Sequence, residues 1–108
     1  MAGLYSIQYS GQRGAGALYV GNGVIAGFDT YGGRYQGTYK DNGDYINGSI
    51  NLSLPGGGAL VTGDQLPAGA SIQIAVEWPA DLGNGAPMQL KVGERTVEVA
   101  LVKMADVP

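Results

Sequence analysis

The chain has 108 residues, of which 20 are glycine and none is cysteine or histidine. Disulfide frameworks, iron–sulfur clusters, zinc sites built on Cys and His, and Cys–His or Ser–His–Asp catalysis are thereby excluded. Six scattered Lys and Arg against nine Asp and Glu give a formal charge of −3, which argues against direct nucleic-acid binding, where clustered cations are needed.

A single domain over residues 1–108 is expected, with one modest core. The N-terminus, Met1-Ala2-Gly3-Leu4-Tyr5-Ser6, has no basic region followed by an apolar run, and no stretch is long enough to span a bilayer as a helix. The faces opposite the apolar ones read as polar, against the apolar exterior of a transmembrane barrel. The expectation is a soluble cytoplasmic protein.

Period-two alternation runs through nearly the whole chain. Leu4 to Tyr9 sets Tyr5, Ile7 and Tyr9 against Ser6 and Gln8. Gly14 to Val20 and Val24 to Asp29 read as strands, separated by Asn22-Gly23 in a type I′ turn. Gly33 to Lys40 follows, with Tyr35, Gly37 and Tyr39 on one face, and Asn42-Gly43 is expected as a second type I′ turn. Asp44 to Leu54 is the clearest strand: Ile46, Gly48, Ile50, Leu52 and Leu54 point one way. The connection Pro55 to Gly69 holds Ala59-Leu60-Val61, a short strand or helical turn. Ala70 to Trp78 alternates again, with Ile72, Ile74, Val76 and Trp78 together. Asn84-Gly85 is read as a looser loop before a strand from Pro87 to Val92. Gly93-Glu94 is read as a type II′ turn into a last strand, Arg95 to Lys103.

About eight antiparallel strands joined by tight hairpins outline an all-β, up-and-down β-barrel, with a two-sheet sandwich as the fallback. Gly16, Gly27, Gly37 and Gly48 are placed inside strands, where barrels bend.

Gly3-Leu4-Tyr5-Ser6-Ile7, Gly14-Ala15-Gly16, Asn22 through Asp29, Tyr35 through Lys40 and the ending Val97 through Pro108 form an ordered set. This set resembles the GrlR family, small bacterial negative regulators of type III secretion genes. The resemblance implies a lipocalin-like eight-stranded barrel that forms homodimers. It also implies regulation by protein contact, with a helix-turn-helix transcription activator as partner. The family's acidic surface motif matches Asp41, Asn42, Gly43 and Asp44, of which Asp41 and Asp44 are acidic. Asp41, Asn42 and Asp44 are therefore the partner-binding candidates.

Asp29 follows Ile25 and Gly27 in period two and is expected to face inward, holding Tyr31, Tyr35 or a backbone N–H. Tyr5, Asp29, Tyr35, Tyr39 and Trp78 are the candidates for a lumen that takes a small apolar ligand, the alternative function. Asp41 and Asp44 lack the roughly six to eight oxygens of a calcium site. Neither Gly11 to Gly16 nor Gly56-Gly57-Gly58 leads into a phosphate-binding helix. No catalytic residue, metal or cofactor is expected, and the protein is read as a non-enzyme.

Overall fold

Alternating side chains commit most of this chain to strands, because each strand then has one face to bury and one to hydrate. The computed structural model describes residues 2–9, 15–30, 32–59, 65–92 and 95–107. In chain order the strands are β1 (Ala2–Tyr9), β2 (Ala15–Gly21), β3 (Val24–Asp29), β4 (Arg34–Asp41), β5 (Tyr45–Ser53), β6 (Gly58–Ala59), β7 (Gln65–Leu66), β8 (Ser71–Pro79), β9 (Asn84–Val92) and β10 (Arg95–Val107). The described residues contain no helix. β6 pairs only with β7, as a small hairpin inside the long connection, while Leu60 and Val61 lie outside the described residues.

The eight long strands form one antiparallel sheet in the order β8-β5-β4-β3-β2-β1-β10-β9. First and last strands pair, Ile7 opposite Leu101 and Tyr9 opposite Val99, so the meander curls into a nearly closed barrel. The sandwich fallback does not apply. Closure is incomplete at one seam. β8 and β9 lie side by side, but no backbone ladder joins them among the described residues. Pro87 sits in the edge strand β9, where a missing N–H is tolerated.

Inward glycines let the barrel wall curve. A Cβ on Gly16, Gly27, Gly37 or Gly48 would stand 2.1 to 2.3 Å from a carbonyl oxygen of the neighbouring strand. Each glycine faces a large inward partner: Gly16 opposes Ile7, Gly27 opposes Tyr35, Gly48 opposes Tyr39, and Gly37 lies between Ile25 and Ile50. Ile25 and Ile74 are fully buried, and Ile7, Leu18, Ile50 and Leu52 almost completely. Together with Leu54, Trp78, Val99 and Leu101 they fill the middle of the barrel as one cluster.

Two of the expected turns differ from the structure. Asn22 and Gly23 both have positive φ, 53° and 79°, as a type I′ turn requires. At the second hairpin only Gly43 is positive, at 91°. There the Asn42 N–H donates to the Tyr45 carbonyl at 2.8 Å and Asp41 pairs with Ile46, so the hairpin is centred on Gly43-Asp44, one residue later than expected. Asn84-Gly85 is strand rather than loose loop. Gly85 takes φ 81°, and the register slips between Ala100 and Val102, which absorbs the irregularity and carries the pairing on to Asn84. The Gly93-Glu94 turn lies outside the described residues.

The outer surface is polar on one side only. Across β4, β5 and β8, Gln36, Thr38, Ser49, Asn51 and Gln73 point outward. Ser49 Oγ donates to Gln73 Oε1 at 2.9 Å, and Gln73 Nε2 donates to Asn51 Oδ1 at 3.1 Å. Across β10, β1, β2 and β3 the outward positions are largely apolar. Leu4, Val24, Phe28, Val102 and Met104 are all exposed there, and Ala17 lies between Ser6 and Phe28 by register. The expectation of polar outer faces is thus corrected for this half of the barrel.

Candidate functional site

The barrel has a cluster of tyrosine and aspartate at each end. One end carries the β3–β4 turn, the other the β2–β3, β4–β5 and β8–β9 turns.

At the first end, Asp29 closes β3, Tyr35 is the second residue of β4 and Tyr9 ends β1. Antiparallel register across four strands brings them together, since Ile7 pairs with Gly16, and Gly16 with Asp29. Asp29 is buried, as its place in the alternation requires. Its Oδ1 accepts the Gly33 N–H at 2.9 Å, and its Oδ2 accepts the Tyr35 hydroxyl. The Tyr35 hydroxyl also bonds the Tyr9 hydroxyl. A phenol has one proton, and that of Tyr35 goes to Asp29, so Tyr9 donates to the Tyr35 oxygen. Backbone bonds brace the turn beside this cluster: Asp29 N–H donates to Gly33 C=O at 3.0 Å, and Thr30 N–H to Ala15 C=O at 2.8 Å. Burial above all, with the Asp29 charge adding to it, pushes the Tyr9 phenol up to about 12. Burial likewise pushes Tyr35 well above the ordinary phenol value, with the Tyr9 contact and the Asp29 carboxylate adding to it. Tyr31, the other expected partner of Asp29, lies outside the described residues.

At the opposite end the barrel is open. A hollow of about 250 Å³ lies among Tyr5, Val20, Tyr39, Asp41, Ile46 and Leu82. Asp41 is exposed, and its Oδ1 accepts the Gly43 N–H at 2.9 Å. Asn42 and Asp44 are exposed beside it, and the Asp44 carbonyl accepts the Ala80 N–H at 2.8 Å, which ties this hairpin to the β8–β9 turn. Lys103 lies against the Tyr5 side of the mouth, and its Nζ meets Asp106 Oδ1 at 2.6 Å.

The five lumen candidates therefore do not share one cavity. Asp29 and Tyr35 are locked together at the closed end, and Tyr5 and Tyr39 line the open mouth. Trp78 stands opposite Ile46 toward the mouth, buried, with its indole Nε1 lacking an acceptor. The packed isoleucines lie between the two ends. Leu82 and Val20 complete the mouth but carry no signal in the sequence, since one sits in a turn and the other ends an unremarkable strand. The outer apolar face was equally hidden. In Val24-Ile25-Ala26-Gly27-Phe28 both faces are apolar or small, and alternation alone assigns neither to the outside. Among the described residues no group of three or more carboxylates is placed to hold a metal ion, and no helix is long and apolar enough to cross a membrane.

No family model, no curated protein and no solved structure matches this chain.

Proposed function

We propose that this barrel is a non-enzymatic cytoplasmic regulator of the GrlR type that acts by protein contact. It works as a homodimer and binds a helix-turn-helix transcription activator. The observation that carries the reading is the one-sided exterior: an apolar face four strands wide along Leu4, Ala17, Ala26, Phe28 and Val102, bordered by Glu98 on β10 and by Arg34 opposite Phe28, beside a mainly polar face. At about 4.8 Å per strand that face is roughly 19 Å across, the scale of an interface core rather than of isolated surface hydrophobics. A second copy of the same face supplies a complementary apolar surface in a two-fold dimer. The Asp41–Asp44 hairpin lies at the barrel end and offers two exposed carboxylates to a basic partner.

The alternative of a lumen holding an apolar ligand has less behind it. Tyr35 is engaged by Tyr9 and Asp29, and the centre is occupied by isoleucine and leucine.

Sedimentation tests the first part: twice the 11.1 kDa chain mass is expected at micromolar concentration, and the monomer mass for Phe28→Lys with Val102→Lys. A wild-type chain that sediments as a monomer removes the dimer. Co-purification with a helix-turn-helix activator tests the second part. Loss is expected on Asp41→Ala with Asp44→Ala, and retained binding would take the hairpin out of the interface.

A further inference from the structure

We propose that the open mouth is a socket for an alkylguanidinium group, held between the Tyr5 and Tyr39 rings with its charge on the Asp41 carboxylate. The hollow of about 250 Å³ is smaller than the roughly 300–1,000 Å³ of sites for drug-sized ligands, and suits a single side chain or a small cation. Its wall has three chemical parts. Val20, Ile46 and Leu82 give apolar surface for an aliphatic stem. Tyr5 from β1 and Tyr39 from β4 border the hollow with aromatic side chains, a residue type whose rings attract cations. Asp41 is the one charged side chain among the described lining residues, and it is negative. Its Oδ1 is oriented by the Gly43 N–H, and a carboxylate retains lone pairs for a paired donor.

A guanidinium fits this combination better than an ammonium. It is planar, stacks on aromatic rings, is weakly hydrated and donates two parallel hydrogen bonds to a carboxylate. The mouth's own cation does not oppose it, because Lys103 Nζ is already paired with Asp106 Oδ1 at 2.6 Å. At the closed end the same residue types are consumed internally, since Asp29, Tyr35 and Tyr9 bond one another. The socket shares Asp41 with the hairpin proposed to meet the activator, and a small ligand titrated into the chain alone tests it apart from that reading.

Titration with N-acetyl-arginine methylamide, followed by the amide NMR shifts of Asn22, Asp41 and Ala80, tests the socket. Saturable binding in the low millimolar range is expected. The neutral isostere N-acetyl-citrulline methylamide should bind roughly tenfold more weakly, and Asp41→Asn should weaken the arginine amide by a similar factor. Tyr39→Leu should cost roughly threefold. Glu98→Gln, on the outer face of β10, should change nothing. Equal binding of the citrulline compound, undiminished binding to Asp41→Asn, or no saturable shift would each overturn the proposal. Agmatine distinguishes the source. Tighter binding than the arginine amide points to a free guanidine, and weaker binding to an arginine of another protein.

Discussion

The two ends of this barrel use the same side chains for opposite purposes. Each holds two tyrosines, one from β1 and one from β4, and one aspartate, from β3 at one end and β4 at the other. At the closed end Tyr9, Tyr35 and Asp29 satisfy one another and are cut off from water. At the mouth Tyr5, Tyr39 and Asp41 border a hollow, and Asp41 is exposed. Residue type therefore decides little here. What decides is whether the group is buried and fully partnered. Both turns fold back on their own carboxylate through a backbone N–H, but Asp29 is buried and also takes the Tyr35 hydroxyl, whereas Asp41 stays exposed at the hollow. A buried carboxylate with two donors is structural, and an exposed one beside aromatic rings is available.

The largest test of this contrast is removal of each carboxylate. Asp29→Ala strands the Tyr35 hydroxyl and the Gly33 N–H without their acceptor inside the barrel. A loss of about 3–4 kcal/mol of unfolding free energy is expected, from a charged hydrogen-bond acceptor and two orphaned donors. Asp41→Ala should stay within about 0.5 kcal/mol, as for other exposed sites. Urea midpoints for the two variants give the comparison, and equal losses would abolish it.

A smaller effect is expected from crowding the closed end without removing a partner. A Cβ on Gly33 would stand 2.7 Å from Asp29 Oδ2 and 3.0 Å from Leu52 Cδ1. Gly33→Ala should cost about 1–3 kcal/mol by pushing the carboxylate off the Tyr35 hydroxyl. Gly56→Ala, where nothing lies within 4 Å of the new carbon, is the control and should be close to neutral. A harmless Gly33→Ala would mean that the closed end yields as easily as the mouth.

Much of the closed end is legible in the sequence. The run Ile25-Gly27-Asp29 already turns Asp29 inward, and Gly16, Gly27, Gly37 and Gly48 mark the inward face. The choice among tyrosines is not legible, because it depends on register accumulated across β1, β2, β3 and β4. A slip of one residue at any hairpin reverses a strand's faces. The mouth is less legible still. Leu82 belongs to a turn, and the Asn42-Gly43 dipeptide suggests a hairpin centred one residue earlier than the one formed. The outer apolar face escapes for a third reason. A β-strand with two apolar faces has no alternation to read, and the sequence around Phe28 is of that kind.

The smallest expected effect isolates the outer link of the closed chain. Tyr9→Phe removes only the hydroxyl that donates to the Tyr35 oxygen, leaving the Tyr35–Asp29 bond in place. About 1 kcal/mol is expected at neutral pH. Alkaline titration makes the contribution visible. The Tyr9 phenol ionises at about 12 in the folded chain against 10.0 for an ordinary tyrosine, so the folded state binds more protons between those values. Stability from this group is intact below pH 10 and declines as pH rises toward 12, with Tyr35 contributing in the same direction. Tyr9→Phe should make the fall in urea midpoint above pH 10 shallower, and an unchanged slope would remove Tyr9 from the account. Tyrosinate absorbance checks the same point, since Tyr9 and Tyr35 should remain phenolic at pH 11 for as long as the barrel stays folded. A wild-type chain whose seven tyrosines all ionise near pH 10 without unfolding would show that the closed end is as open to water as the mouth.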